Sequence, residues 1–190
     1  MGNDLFVFIG DSLTLGYGVP KDKNWVSKLQ DSLDYNIINK GINGNTTVDM
    51  LNRFSKDVSF HNPTSIFIMG GTNDLLSNRS LNSIIQNIEV MIKESLLITS
   101  KVIIGIPPNI IGKDAYKLFS PSSTYAYCEK ELPKLRDALI KLSNKYNTKY
   151  LDFYKLTSEN LSMNIFSDGI HLNVLGQNLL FDYSKKILST

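Results

Sequence analysis

Five short apolar runs recur along the chain: Leu5–Ile9, Tyr35–Asn39, Ser65–Met69, Lys101–Ile106 and Lys149–Phe153. Each is rich in Ile, Val, Phe or Tyr and is bounded by Gly, Pro, Asn or Asp, the pattern of parallel strands covered on both faces. Helical patterns separate them. Ile84, Ile85, Ile88, Met91, Ile92 and Leu96 share one helical face, as do Leu135, Ala138, Leu139, Leu142 and Tyr146, and then Leu175, Leu179, Leu180, Tyr183 and Ile187. Segments 24–33 and 46–57 read as weaker helices. Pro133 marks a kink or a fresh start, because the residue before a proline avoids helical geometry. Strand–helix alternation of this kind calls for a three-layer α/β/α domain spanning 1–190. Its core is a five-stranded parallel sheet in the order 2-1-3-4-5.

Composition narrows the function classes. Twenty Lys+Arg stand against 18 Asp+Glu without a basic run, so nothing points to nucleic acid or to an anionic membrane. The one cysteine, Cys128, excludes an intramolecular disulfide and a Cys-based zinc site, and two histidines leave little for a transition-metal cluster. No metal and no cofactor is expected. No apolar run reaches membrane-spanning length, and Leu5–Ile9 is too short for a signal-peptide core, so a cytoplasmic protein is expected. Nothing in the composition sets an oligomeric state.

In open α/β sheets, ligands bind beyond the carboxyl ends of the strands. The segments following the strands are "GDSLTLGYG" (10–18), "GINGNTT" (41–47), "GGTNDL" (70–75), "PPNIIGKDAYK" (107–117) and "SDGIH" (167–171). Together they hold the parts of acyl-transfer chemistry. A serine nucleophile needs a base, a group that orients the base, and donors for the developing oxyanion. Ser12 supplies a nucleophile, His171 a base and Asp168 an orienting carboxylate. Asn73 brings an amide donor, and Gly44 lets a backbone N–H approach unobstructed. His61, before the third strand, falls at the opposite edge, which leaves His171 as the histidine placed for chemistry.

Each residue has a plainer use. Asp11 or Ser12 suits a helix cap, Asn73 and Asp74 suit another, Asp168 suits a turn, and Gly44 between two asparagines suits a turn as well. Asp11 reads as a loop anchor bonded to local backbone, and Cys128 as a neutral thiol on a helix. A rival from another class is a flavodoxin-like module that cradles a phosphate or flavin in "GDSLTLG". It leaves Asn73, Asp168 and His171 without a purpose. Phosphatase chemistry on Asp11 would need a metal and further carboxylates.

From Phe8 to about Gly176 the chain resembles the SGNH hydrolases, also called GDSL-type esterases and lipases. "GDSLTLGYG" is similar to the nucleophile block of that family, with Ser12 at its catalytic serine. Gly44 in "INGNTT" and Asn73 in "GGTND" match its oxyanion glycine and asparagine. Asp168 and His171 in "SDGIHLN" match its last block. The resemblance implies a flavodoxin-like fold and a metal-free hydrolase of small-molecule esters or thioesters, with an oxyanion hole formed by Ser12, Gly44 and Asn73. Thr14 stands where a G-x-S-x-G nucleophile elbow ends in glycine, which disfavours the α/β-hydrolase type. The segment 107–125 reads as the longest loop at this edge. Tyr17, Ile110, Ile111, Tyr116 and Phe119 are the candidates to line a pocket for a short or medium acyl chain.

Overall fold

The structure, a computed structural model, describes residues 4–189. The first half of the chain forms β1 (Leu5–Gly10), α1 (Ser12–Leu15), α2 (Trp25–Ser32), β2 (Asn36–Gly41), α3 (Thr47–Asn52), α4 (Phe54–Asp57), β3 (Ser65–Met69), α5 (Thr72–Leu76) and α6 (Leu81–Leu96). The second half forms β4 (Val102–Ile106), α7 (Gly112–Leu118), α8 (Thr124–Tyr146), β5 (Lys149–Asp152), α9 (Phe153–Glu159) and α10 (Val174–Leu188). The five strands pair in parallel in the order β2-β1-β3-β4-β5, as expected from the alternation.

Strand periodicity builds the layers. Successive side chains of a strand point to opposite faces, so Val7 and Ile9 of β1 enter one core while Phe6 and Phe8 enter the other. Val7 and Ile9 join Met50 of α3, Ile84 and Ile88 of α6, and Leu135 and Leu139 of α8. Phe6 and Phe8 join Trp25 of α2, Phe153 of α9 and Leu180 of α10. The second core is aromatic. The Trp25 ring meets Phe8, Phe67 and Phe153 edge-on, with centroids 5.7, 5.5 and 5.2 Å away, the arrangement that aromatic quadrupoles favour.

Three local expectations change. The expected helix 46–57 breaks at Arg53 into α3 and α4. The segment 107–125 is less of a loop than its composition suggests, because α7 folds within it. No fresh start occurs at Pro133, and α8 runs through it from Thr124 to Tyr146. Cys128, Leu132, Leu135, Leu139 and Leu142 form one buried stripe along α8. Burying that stripe outweighs the roughly 3 kcal/mol cost of an interior proline.

Candidate active site

The turn after β1 is held from several sides. Asp11 caps α1, its Oδ1 accepting the Leu13 N–H at 2.9 Å, and Gly16 closes the helix at φ 79°. The Trp25 indole N–H donates to the Leu13 carbonyl at 3.0 Å. The Asn39 amide donates to the Thr14 carbonyl at 2.9 Å, and the Asn24 amide donates to the Leu15 carbonyl. Ser12, the first residue of α1, is thereby fixed at the carboxyl end of β1 and is only 6% exposed.

The segment 166–172 brings the other two polar side chains to it. An antiparallel bridge between Phe166 and Leu172 pinches the segment, and the Ser167 N–H bonds the His171 carbonyl at 2.9 Å. Inside this turn Asp168 Oδ1 accepts the N–H groups of Ile170 and His171 at 2.9 and 2.6 Å. Its Oδ2 lies 2.7 Å from His171 Nδ1, and His171 Nε2 lies 2.9 Å from Ser12 Oγ. Hydroxyl, imidazole and carboxylate therefore stand in one hydrogen-bonded series. Burial alone would raise the Asp168 pKa, but the imidazole and the two backbone donors together hold it below the usual aspartate value. That leaves a carboxylate available to fix the imidazole orientation.

Two further loops complete the site. Gly44 adopts φ 75° in a turn closed by the Asn45 N–H on the Ile42 carbonyl at 3.2 Å. The space where its side chain would lie is open, so positive φ requires the glycine here, rather than lack of room. Asn73, in the first turn of α5, donates through Nδ2 to the Asn45 carbonyl at 3.0 Å, with Asp11 Oδ2 at 3.5 Å. Neither Asn73 nor Asp74 caps α5. Asp74 is wholly buried and accepts both the N–H and the hydroxyl of Thr47 at 2.8 Å, clamping α5 to the start of α3. Burial raises the Asp74 pKa against the opposing pull of Thr47 and Arg79. Asp11 is pushed up to about 6, mainly by burial, with the Leu13 N–H and His171 pulling it back.

A cavity of about 490 Å³ opens beside these groups, lined by Asn73 and His171 together with Leu76, Phe119, Tyr125 and Ile170. Of the five expected lining residues, Phe119 is found there. Tyr17 packs its half-exposed ring on the His171 imidazole, with centroids 4.6 Å apart. Ile110 is a correction: it is 5% exposed and belongs to the core with Ala115 and Ile170. Ile111 packs against the aromatic core and turns its backbone into the first residues of α7. Tyr116, on α7, faces a neighbouring cavity with Lys113, Lys117 and Glu129. Ile110 and Ile111 lead into α7 and Tyr116 lies on it, and none of the three lines the cavity with His171. Leu76 and Ile170 went unread, although Leu76 lies one helical turn after Asn73 and Ile170 sits inside "SDGIH".

His61 lies in a turn before β3, in a cavity with Lys40, Asn52 and Phe60. Cys128 is buried, which pushes its thiol up to about 12. Among the described residues no group of three or more His, Cys, Asp or Glu side chains could hold a metal ion. The loop after β1 is poorly suited to a phosphate. Its Leu13, Leu15, Gly16 and Tyr17 N–H groups already bond Asp11 or Ser12, and the buried Asp11 carboxyl sits at its base.

A hydroxyl, an imidazole and a carboxylate bonded in series at the carboxyl edge of a parallel sheet form the arrangement that serine hydrolases use on several α/β folds. The chain belongs to the GDSL-like lipase/acylhydrolase family, whose profile matches residues 8–179. It is 34% identical over 115 residues to an arylesterase of Vibrio mimicus. That match takes in 56% of this chain and 58% of the relative, so the chain spans little more than half of that protein. A lipolytic protein of the G-D-S-L family from Desulfitobacterium hafniense has the same fold, with a TM-score of 0.82 at 22% identity over 97% of this chain and 99% of the other. Axe2, an acetylxylan esterase from Geobacillus stearothermophilus, superposes with a TM-score of 0.81 at 20% identity over 98% of this chain and 94% of the other.

Proposed function

We propose that the protein hydrolyses carboxylic esters or thioesters of small molecules through an acyl-enzyme on Ser12. The observation that carries this reading is the 2.9 Å contact of His171 Nε2 with Ser12 Oγ, continued by the 2.7 Å contact of Nδ1 with Asp168. With Asp168 ionised, Nδ1 carries the proton it shares with the carboxylate, so Nε2 is free to accept the Ser12 hydroxyl proton. Ser12 Oγ then bonds to the acyl carbon, and His171 becomes an imidazolium held by Asp168. The oxyanion is received by the N–H groups of Ser12 and Gly44 and by the Asn73 amide. One amide hydrogen of Asn73 is committed to the Asn45 carbonyl at 3.0 Å, which orients the group. The second has only a long 3.5 Å contact with Asp11 Oδ2 to exchange for the oxyanion. His171 returns its proton to the departing alkoxide or thiolate as the C–O or C–S bond breaks. Water, deprotonated by the same imidazole, then releases the acid and restores Ser12.

The cavity beside His171 lies within the range typical of small-ligand sites, and its mix of Phe119, Leu76 and Ile170 suits a short or medium acyl group. Among the described residues no helix is long and apolar enough to cross a membrane. A cytoplasmic setting belongs to the same reading. The reading is tested with nitrophenyl esters, acyl thioesters and acetylated sugars of graded chain length, on wild type and Ser12→Ala. Turnover that needs Ser12 supports it. Turnover that survives Ser12→Ala contradicts it.

A further inference from the structure

Arg53 stands at the break between α3 and α4, and its guanidinium turns back towards the site. Nε donates to Asn45 Oδ1 at 2.8 Å, Nη2 to the Gly10 carbonyl at 2.8 Å, and Nη1 to Asp57 Oδ2 at 2.8 Å. The side chain is only 14% exposed, and Lys40 reaches the other oxygen of Asp57 at 3.3 Å. Two of these acceptors matter for chemistry. Gly10 immediately precedes Asp11 and Ser12. Asn45 immediately follows Gly44, and its carbonyl is the partner of the Asn73 amide. One rigid cation thus joins the strand end that carries Ser12 to the turn that carries Gly44 and whose Asn45 carbonyl holds the Asn73 amide of α5. Arg53 makes no hydrogen bond to Ser12, Asp168 or His171.

We propose that Arg53 is a positioning residue, which sets the spacing between Ser12 and the donors of Gly44 and Asn73. The role rests on the hydrolase reading above, because it acts through the oxyanion donors. A guanidinium suits it: its planar fork reaches three acceptors in fixed directions, whereas an ammonium is a single point of charge. The consequence is kinetic. Reacting groups displaced by about 1 Å lose on the order of 10²-fold in rate while substrate still binds.

The experiment measures kcat, KM and Tm with p-nitrophenyl acetate for wild type, Arg53→Ala, Arg53→Lys, Asn45→Ala and the double variant Arg53→Ala with Asn45→Ala. Arg53→Ala is expected to lower kcat by ~10–100-fold, with KM held within about 2-fold. Arg53→Lys restores a positive charge beside Asp57 and is expected to recover Tm but not kcat, a separation that a purely structural arginine does not produce. The double variant is expected to be no slower than Arg53→Ala alone, because Asn45 acts through the same bond. Wild-type kcat in Arg53→Ala, kcat recovering with Tm in Arg53→Lys, or losses that multiply in the double variant would each overturn the role. Should Arg53→Ala not fold, Arg53→Lys and Asn45→Ala carry the comparison: kcat losses in both at unchanged KM support the role, and wild-type kcat in both overturns it. Ser12→Ala in the same assay keeps the two claims apart. Turnover without Ser12 contradicts the hydrolase reading, whereas Ser12-dependent turnover indifferent to Arg53 overturns the positioning role alone.

Discussion

Asn73 and Asp11 meet at 3.5 Å, and each makes a separate prediction. If the Asn73 amide receives the oxyanion, Asn73→Ala lowers kcat by ~10²–10³-fold with little change in KM, as read from steady-state kinetics. Asp11 makes a prediction about stability. Its carboxyl titrates at about 6 in the folded protein, against 3.8 for an ordinary aspartate. The native state therefore binds this proton more tightly than the unfolded chain, and ionising Asp11 costs stability as pH rises from about 4 to about 6. Asparagine keeps the acceptor for the Leu13 N–H and carries no charge. Asp11→Asn should thus gain on wild type by up to about 3 kcal/mol between pH 4 and pH 7, measured by urea unfolding at each pH. A difference that does not vary with pH contradicts the shift. Ser12 was legible because it follows β1 in a short polar segment, and Asp168 and His171 because they share one such segment, although α9 separates that segment from β5. The structure brings the three into contact. Arg53 and the Asp74–Thr47 clamp were not legible. Gly10 and Asn45 lie far from Arg53 in the sequence, as Thr47 does from Asp74, and no local pattern marks a side chain whose partners are that distant.

At the scale of elements, α2 does more than cover the sheet. Its cap residue, Asn24, accepts the N–H groups of Val26 and Ser27 at 2.7 and 3.2 Å and donates to the Leu15 carbonyl. Asn24→Ala removes a helix cap and a tie to α1 together. A loss of ~1–2 kcal/mol is expected in urea unfolding, the upper part of the usual range for a cap. The elements themselves were legible where periodicity was strong. Strand β3 falls on its expected residues, and α6 and α10 enclose their apolar stripes. Where tertiary burial competes with local preference, the sequence misleads. Pro133 pointed to an interruption that the buried stripe of α8 overrides. The apolar residues of 107–118 looked like a pocket wall and instead fold into and around α7.

The whole molecule is two cores divided by one sheet, and their difference in character has a cost. The aromatic core needs space in the sheet, and Gly105 of β4 provides it. A side chain there would lie 2.3 Å from the Phe67 ring and 2.7 Å from the Met69 Cβ. Gly105→Ala should destabilise by ~1–3 kcal/mol through overpacking and lower Tm by several degrees, as followed by calorimetry. The order of the strands was legible from the alternation of elements, and from it the edge on which the polar loops gather. The register with which those loops meet was not, since it depends on turns such as Gly44 and on the pinch between Phe166 and Leu172. The proposed hydrolase needs this edge to present Ser12 as a nucleophile driven by His171. Its most direct test is reaction with a fluorophosphonate, followed by mass spectrometry of the intact protein and of its peptides. One adduct per chain, mapped to Ser12, lost in Ser12→Ala and strongly slowed in His171→Ala, is the predicted result. An adduct on another residue, or labelling that persists in Ser12→Ala, would contradict it.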